Sequence, residues 1–267
     1  MKNISHAIRI IQYMLWFNNQ NIAIFFSQKS DGDLLFKTQI NSDQTQIDTD
    51  TLNEKVRQNR ISFFEKNKIN PQRLVNLAGI HGTNIVVINH HDLGKGALET
   101  NTRIPNTDGL ISNIKNSYLM ITGADCFPVF FYDENKGIIG AAHCGWRGIL
   151  KQLPAEMIEK FKNEFSSNTD AINVWIGPGI KTCHYDVLPE RADLFSKDYK
   201  KHIIIKENKI FLDLIEIITA QLIKTGVKPD KITTHPDCTF CEKDKYFSHH
   251  RDKTEIIEAN AFIIGLN

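Results

Sequence analysis

The chain has almost no net charge. Its 267 residues carry 32 Lys+Arg against 31 Asp+Glu, a formal charge of +1. The basic residues are scattered among acids, with no stripe interleaved with aromatics, which argues against a nucleic-acid groove. Long hydrophobic runs are missing too. Nothing approaches the roughly 18 consecutive apolar residues of a membrane span. The stretch AIRIIQYMLWF is interrupted by Arg9 and Gln12 and has no small-residue cleavage site after it, so we read it as folded or peripheral sequence. Cysteine is scarce: five residues, an odd number, do not make a disulfide scaffold and fit a reducing compartment. The expected location is cytoplasmic. No Walker or dinucleotide glycine pattern occurs, which disfavours triphosphates and NAD. There is also no His-x-His element among the ten histidines. A strand would send the adjacent pairs His90-His91 and His249-His250 to opposite faces, so a multicopper centre is disfavoured.

What is present describes an ordinary globular protein, with 41% apolar and 24% charged residues. Short apolar runs, NIAIFF, RLVNLAGI, NIVVIN, SYLMIT, FPVFFYD, GIIGAAH, INVWIG, KITTH and IIEANAFIIG, read as strands. Helices are predicted over residues 152–165, with Pro154 in the first turn, over 213–224, ending near Gly226, and over 51–66 with Leu52, Val56 and Phe63. The neighbouring runs at 118–122, 128–132 and 138–143 lie too close for helical crossovers, so antiparallel pairing is expected among them. Residues 41–50 resemble a linker, and no repeat is evident. The expectation is one domain over residues 1–267, an α/β sandwich with a mixed, largely antiparallel sheet covered by helices.

The segment TGADCFPVFFYDENKGIIGAAHCGWRG, residues 122–148, ends two apolar runs beside Cys126 and His143, next to small residues that permit close approach. His81 in AGIHGTN has the same setting. One thiolate and two imidazoles make three zinc ligands with an open fourth position, the pattern of catalytic zinc. The same residues also permit a metal-free reading, with Cys126 as nucleophile and His143 as base. Asp125 either orients the imidazole or caps a turn.

Further along, HPDCTFC holds Cys238-x-x-Cys241 with His235 three residues ahead of the first cysteine. The nucleotide-deaminase signature is not met, and we expect a loop of reduced thiols there rather than a structural zinc. Arg147 in GWRG and Arg251 in HHRD are candidate phosphate contacts; a surface arginine paired with an acid is an equal reading for Arg251 and a weaker one for Arg147. Gly177-Pro178-Gly179 after VWI is a sharp strand exit able to line a pocket with amides.

The motifs TGADCFPV, AAHCGWRG, IGPGIKTCHYDV and CTFCEKDKYFSHHRDKT, in this order, resemble the laccase-domain, or polyphenol oxidoreductase-like, family. Its members are also described as purine nucleoside phosphorylases with adenosine deaminase and methylthioadenosine phosphorylase activity, and some as peptidoglycan editing factors. The match runs from about Val75 to the end, with a weaker echo in NIAIFFSQKSDG and VRQNR. The resemblance implies a single-domain mixed α/β fold and a zinc held by His81, Cys126 and His143. Cys126 and His143 are thereby also catalytic candidates. It further implies phosphorolysis of a purine nucleoside to base and ribose 1-phosphate, and deamination of adenosine. Asp108 in TDGL corresponds to a family Asp and is assigned to positioning the nucleoside or an oxygen at the metal.

Some positions depart from the family pattern. Lys29 replaces an arginine, Gly79 a glutamine, and His249 and His250 a Tyr and an Arg; the usual TGR is missing, while Arg251 and Asp252 match. The expected ligands are therefore zinc, a purine nucleoside and phosphate, with copper disfavoured and no protein partner. The alternatives are a cysteine hydrolase or amidase acting on a peptidoglycan precursor, and a non-catalytic zinc-binding protein.

Overall fold

The computed structural model describes residues 15–18, 20–38 and 48–267. Most of the N-terminal apolar stretch and of the linker-like segment 41–50 lies outside the described residues. Among those described, one sheet has five strands in the order β1 (Leu15–Asn18), β2 (Ile22–Phe26), β14 (Asn260–Leu266), β6 (Ser117–Gly123) and β3 (Leu74–Asn76). A second has six: β13 (Ile232–Thr234), β9 (Ile172–Ile176), β7 (Phe127–Asp133), β8 (Ile138–Cys144), β5 (Gly109–Ser112) and β4 (Ile85–Val87). A small third sheet joins β10 (Asp186–Val187), β12 (Lys209–Leu212) and β11 (Ile203–Lys206). Among the described strands, the parallel pairs are β3 with β6, β4 with β5, and β13 with β9.

The two large sheets stack face to face, and the period of two along each strand shows it. Phe130 and Tyr132 of β7, Ile139 and Ala141 of β8, and Phe262 and Ile264 of β14 share the inter-sheet core. The alternate residues point the other way. Phe127, Val129 and Phe131 meet helices α3 (Leu153–Phe165) and α5 (Leu214–Lys224), whereas Met120, Ala261 and Ile263 meet α1 (Thr49–Asn67). With both faces covered, every residue of β7, β8 and β14 is buried, hence their unbroken apolar runs. Three helices complete the described set: α2 (Trp146–Leu150), α4 (Pro189–Tyr199) and α6 (His249–Asp252).

The helices form where expected. Asp48 caps α1 by accepting from the amides of Asp50 and Thr51, and Asp213 caps α5 by accepting from Glu216. In α3, Leu153, Met157, Ile158 and Phe161 make the buried stripe and Pro154 sits in the first turn. From α1 the fully buried Arg60 crosses to the carbonyls of Leu34, Gly96 and Ala97, so its charge is met by backbone oxygens.

One pairing expectation fails. β7 and β8 are antiparallel neighbours, but β6 does not pair with β7. Residues 124–126 instead carry the chain from one sheet to the other, and β6 lies between β14 and β3. Both runs are apolar on two faces, and stacking them in opposite layers covers each face.

Candidate active site

That crossing sets up the site. Asp125 takes a left-handed backbone conformation, φ +88°, and Cys126 follows at the start of β7. His143 is the penultimate residue of β8, where the register pairs it with Pro128. His81 comes from the β3–β4 connection and also has positive φ, +57°, an uncommon state outside glycine. The ligand atoms of His81, Cys126 and His143 all lie within 4.8 Å of one another. The structure thus brings together the three residues singled out in the sequence.

Asp108, fully buried just before β5, holds two of them. Its carboxylate accepts from the amides of Ile80 (3.1 Å), His81 (3.0 Å) and Gly82 (2.7 Å), and lies 3.2 Å from Nδ1 of His143. Nε2 of His143 is left for a metal or for the thiol. Gly145 completes the cradle: a Cβ there would lie 2.8 Å from Cδ2 of His81 and 2.9 Å from Sγ of Cys126. This donor set, two imidazoles and a thiol with no fourth ligand grouped with them among the described residues, fits zinc with one open position.

Electrostatics favour an ionised pair. Burial would raise the Cys126 thiol, but His143 and His81 bring it down to about 6. Burial would lower His143, but Cys126 and Asp108 push it up to about 10. For Asp108, burial opposes ionisation, and His143 with the amides of Gly82 and Ile80 overcomes it, leaving the carboxyl below its ordinary value.

A cavity of about 670 Å³ opens over these residues, within the size range of small-molecule sites. Arg147 lines it, stacked 4.3 Å over Trp146. Arg191 lies 4.7 Å over the same ring and 3.4 Å from the hydroxyl of Tyr185. Arg103, Tyr185 and His250 also line the cavity. None of these four was singled out as lining it by sequence reasoning, and Arg191 in PERAD carried no signal that could have done so.

Arg251 requires a correction. Its guanidinium donates to the carbonyls of Thr239 (2.8 Å), Phe240 (2.9 Å) and Tyr246 (2.9 Å) and pairs with Asp252. These bonds occupy its donors, and it is not among the cavity-lining residues. Asp125 does not orient the imidazole; it accepts from the Thr239 hydroxyl (2.7 Å) and the His250 amide (2.7 Å). The Gly177-Pro178-Gly179 exit serves packing, since a Cβ on Gly179 would meet Phe127 at 2.5 Å and the Gly177 amide donates to Pro128. Lys29, standing for an arginine, lies 3.6 Å from Asp252 and over the Phe247 ring.

The Cys238-x-x-Cys241 turn is also more than a thiol loop. Cys183 and His184 meet it, giving a second group able to hold a metal. His235 is not part of that group and packs edge-on against Phe26.

A concave pocket walled by aromatics and arginines over a Cys/His cluster, seated at the seam of a two-sheet α/β sandwich, is a site for a small polar molecule rather than a flat docking face. The chain belongs to the multi-copper polyphenol oxidoreductase laccase family, whose sequence profile matches residues 25–264. It is 34% identical over 193 residues to purine nucleoside phosphorylase YlmD of Bacillus subtilis, covering 68% of this chain and 67% of that one. It is 30% identical over 203 residues to the purine nucleoside phosphorylase of Bacteroides thetaiotaomicron, covering 74% and 75%. Among solved structures, Bacillus licheniformis hypothetical protein YfiH superposes with a TM-score of 0.81 at 28% identity, covering 92% of this chain and 93% of that one.

Proposed function

We propose that this chain is a zinc-dependent purine nucleoside phosphorylase. The observation that carries the reading is the convergence of His81, Cys126 and His143 beneath a pocket that also presents Arg147 and Arg191. The names of the relatives supply the substrate class. His81, Cys126 and His143 would hold the metal, which when bound supplies a Lewis acid to polarise a substrate atom.

The other residues bind and orient. Arg147 and Arg191 offer planar guanidinium forks to inorganic phosphate, and Trp146 and Tyr185 wall the nucleoside. A phosphate oxygen attacks C1′ of the ribose as the glycosidic bond breaks. The bond electrons leave with the purine, which takes up the proton that the attacking hydrogen phosphate gives up, giving free base and ribose 1-phosphate. Asp108 acts through His143 and the 80–82 loop. Zinc is preferred to copper because the set is one thiolate and two imidazoles, and His250 is directed to Asp186 at 3.4 Å.

A second reading has one observation in its favour: Cys126, His143 and Asp108 also form a nucleophile, base and orienter in line, with the thiol already brought down to about 6. Metal content separates the two. Zinc-loaded protein given inosine and phosphate is expected to release hypoxanthine and ribose 1-phosphate, with Cys126→Ala losing both the zinc and the turnover; ammonia release from adenosine tests deamination. No base released from inosine, adenosine or methylthioadenosine by folded, zinc-loaded protein would overturn the proposal. Amidase turnover that survives chelation and is abolished by Cys126→Ser would establish the second reading.

A further inference from the structure

Cys183, His184, Cys238 and Cys241 take no part in lining the cavity, yet their ligand atoms all lie within 4.8 Å of one another. Two loops remote in sequence create this cluster. Gly179 forms a parallel bridge with Cys238, and the Thr239 amide donates to the Gly179 carbonyl at 3.1 Å. Nζ of Lys181 ties the carbonyls of His235 (2.9 Å) and Pro236 (2.7 Å). The amides of His184 and Tyr185 both donate to the Lys181 carbonyl, folding the 181–185 turn back so that Cys183 and His184 face the Cys-x-x-Cys turn.

The local geometry is that of a metal knuckle. The backbone amide of Lys181 donates to the Cys238 sulfur at 3.4 Å, as an amide does to a thiolate held at the head of such a turn. The His184 ring stacks flat on Phe240, with centroids 4.0 Å apart and planes 13° from parallel, which fixes its orientation. Its Nδ1 lies 3.3 Å from Sγ of Cys241, and Sγ of Cys183 lies 3.6 Å from the same sulfur. For Zn–S bonds of about 2.3 Å and Zn–N bonds of about 2.0 Å, a tetrahedron has S···S edges of about 3.8 Å and S···N edges of about 3.5 Å. These two of the six edges are each within about 0.3 Å of those values, and the remaining ligand atoms lie within 4.8 Å of one another. A disulfide explains the cluster less well, because it would use two of three thiols and leave the third and the imidazole without a role.

We propose that Cys183, His184, Cys238 and Cys241 form a second metal site, a closed Cys₃His tetrahedron that takes one zinc ion and keeps no open position. Such a site is structural. It fastens the turn that leads into Tyr185, a wall of the pocket, to the turn containing Thr239. Thr239 in turn bonds Asp125, the residue before Cys126. The ion would therefore brace the pocket from behind without touching its contents.

The test uses the full chain. Elemental analysis should find two zinc equivalents, falling to one in Cys183→Ser/Cys241→Ser and to one in His81→Ala/His143→Ala. Cobalt(II) added to the His81→Ala/His143→Ala protein should give tetrahedral ligand-field bands and thiolate charge-transfer absorption, reporting this cluster independently of the pocket. Should the variants fail to fold, wild-type protein still decides, because Cys183 and Cys241 are exposed. Both should resist maleimide in the zinc-loaded chain and label after chelation. A single zinc equivalent with immediate labelling of both thiols would overturn the proposal, as would an intact mass lower by the two hydrogens of a disulfide.

Discussion

Asp108 gathers more of the site than any residue that faces the cavity. Its two oxygens serve three consecutive amides and one imidazole, and an amide side chain of the same shape would turn an NH₂ towards some of those donors. Asp108→Asn should therefore weaken zinc binding about 10- to 100-fold, the usual effect of removing an outer partner of a metal-ligating histidine. Competition with a chromophoric chelator measures it; unchanged affinity would mean that His81 and His143 are positioned without this carboxylate. At this scale the sequence was partly legible. Cys126, His143 and His81 announce themselves because each sits among small residues that a core would not need. Arg251 misled because nothing in HHRD shows that the short α6 turns the guanidinium onto three carbonyls. Cys183 and His184 meet the Cys238 turn through the Gly179–Cys238 bridge and the hydrogen bonds of Lys181, contacts between remote segments that no local pattern encodes.

Elements buried on both faces were the easiest to read, since the burial that stabilises them writes continuous apolar runs. Helix α3 was legible for a related reason, its stripe repeating at helical spacing. The small third sheet was not. Its β11–β12 hairpin turns at Glu207 and Asn208, both with positive φ (51° and 60°), without the glycine that normally marks such a turn. Helix α4 buries only Ala192 and Phe195, too few for a periodic signal. The weight of α3 can be measured. Phe161 is fully buried, its ring 6.1 Å from that of Phe131, and Gly140 has no side chain because the Phe161 ring fills that space. Phe161→Ala should cost about 3–5 kcal/mol in urea unfolding. Zinc retention should persist in the folded fraction, since α3 contributes no ligand; a loss below about 1 kcal/mol would show that the core closes over the gap.

The whole molecule is a stack of helix, sheet, sheet and helix, and its architecture was only half visible beforehand. Pattern showed that β6, β7 and β8 are strands, and their short spacing suggested one sheet. It could not show that residues 124–126 change layers, because apolar alternation looks the same whichever partner covers each face. Among the described residues, no helix is long and apolar enough to cross a membrane.

The layer change has a consequence for how much this chain can be lengthened. The span from Gly123 to Phe127 is anchored at both ends by paired strands, Gly123 opposite Asn260 and Phe127 opposite Cys144, so an added residue displaces Cys126 from the cluster or shifts the register of a strand. A one-residue shift of register exchanges that strand's inner and outer faces. The 134–136 turn between β7 and β8 is exposed, and no atom lies within 4 Å of a Cβ built on Gly137. One glycine inserted between Ala124 and Asp125 should abolish zinc retention and lower the melting temperature sharply, whereas the same glycine between Asn135 and Lys136 should leave both nearly unchanged, as read by elemental analysis and calorimetry. Three residues at the seam thus carry a fixed measure that the outer turns of the molecule do not.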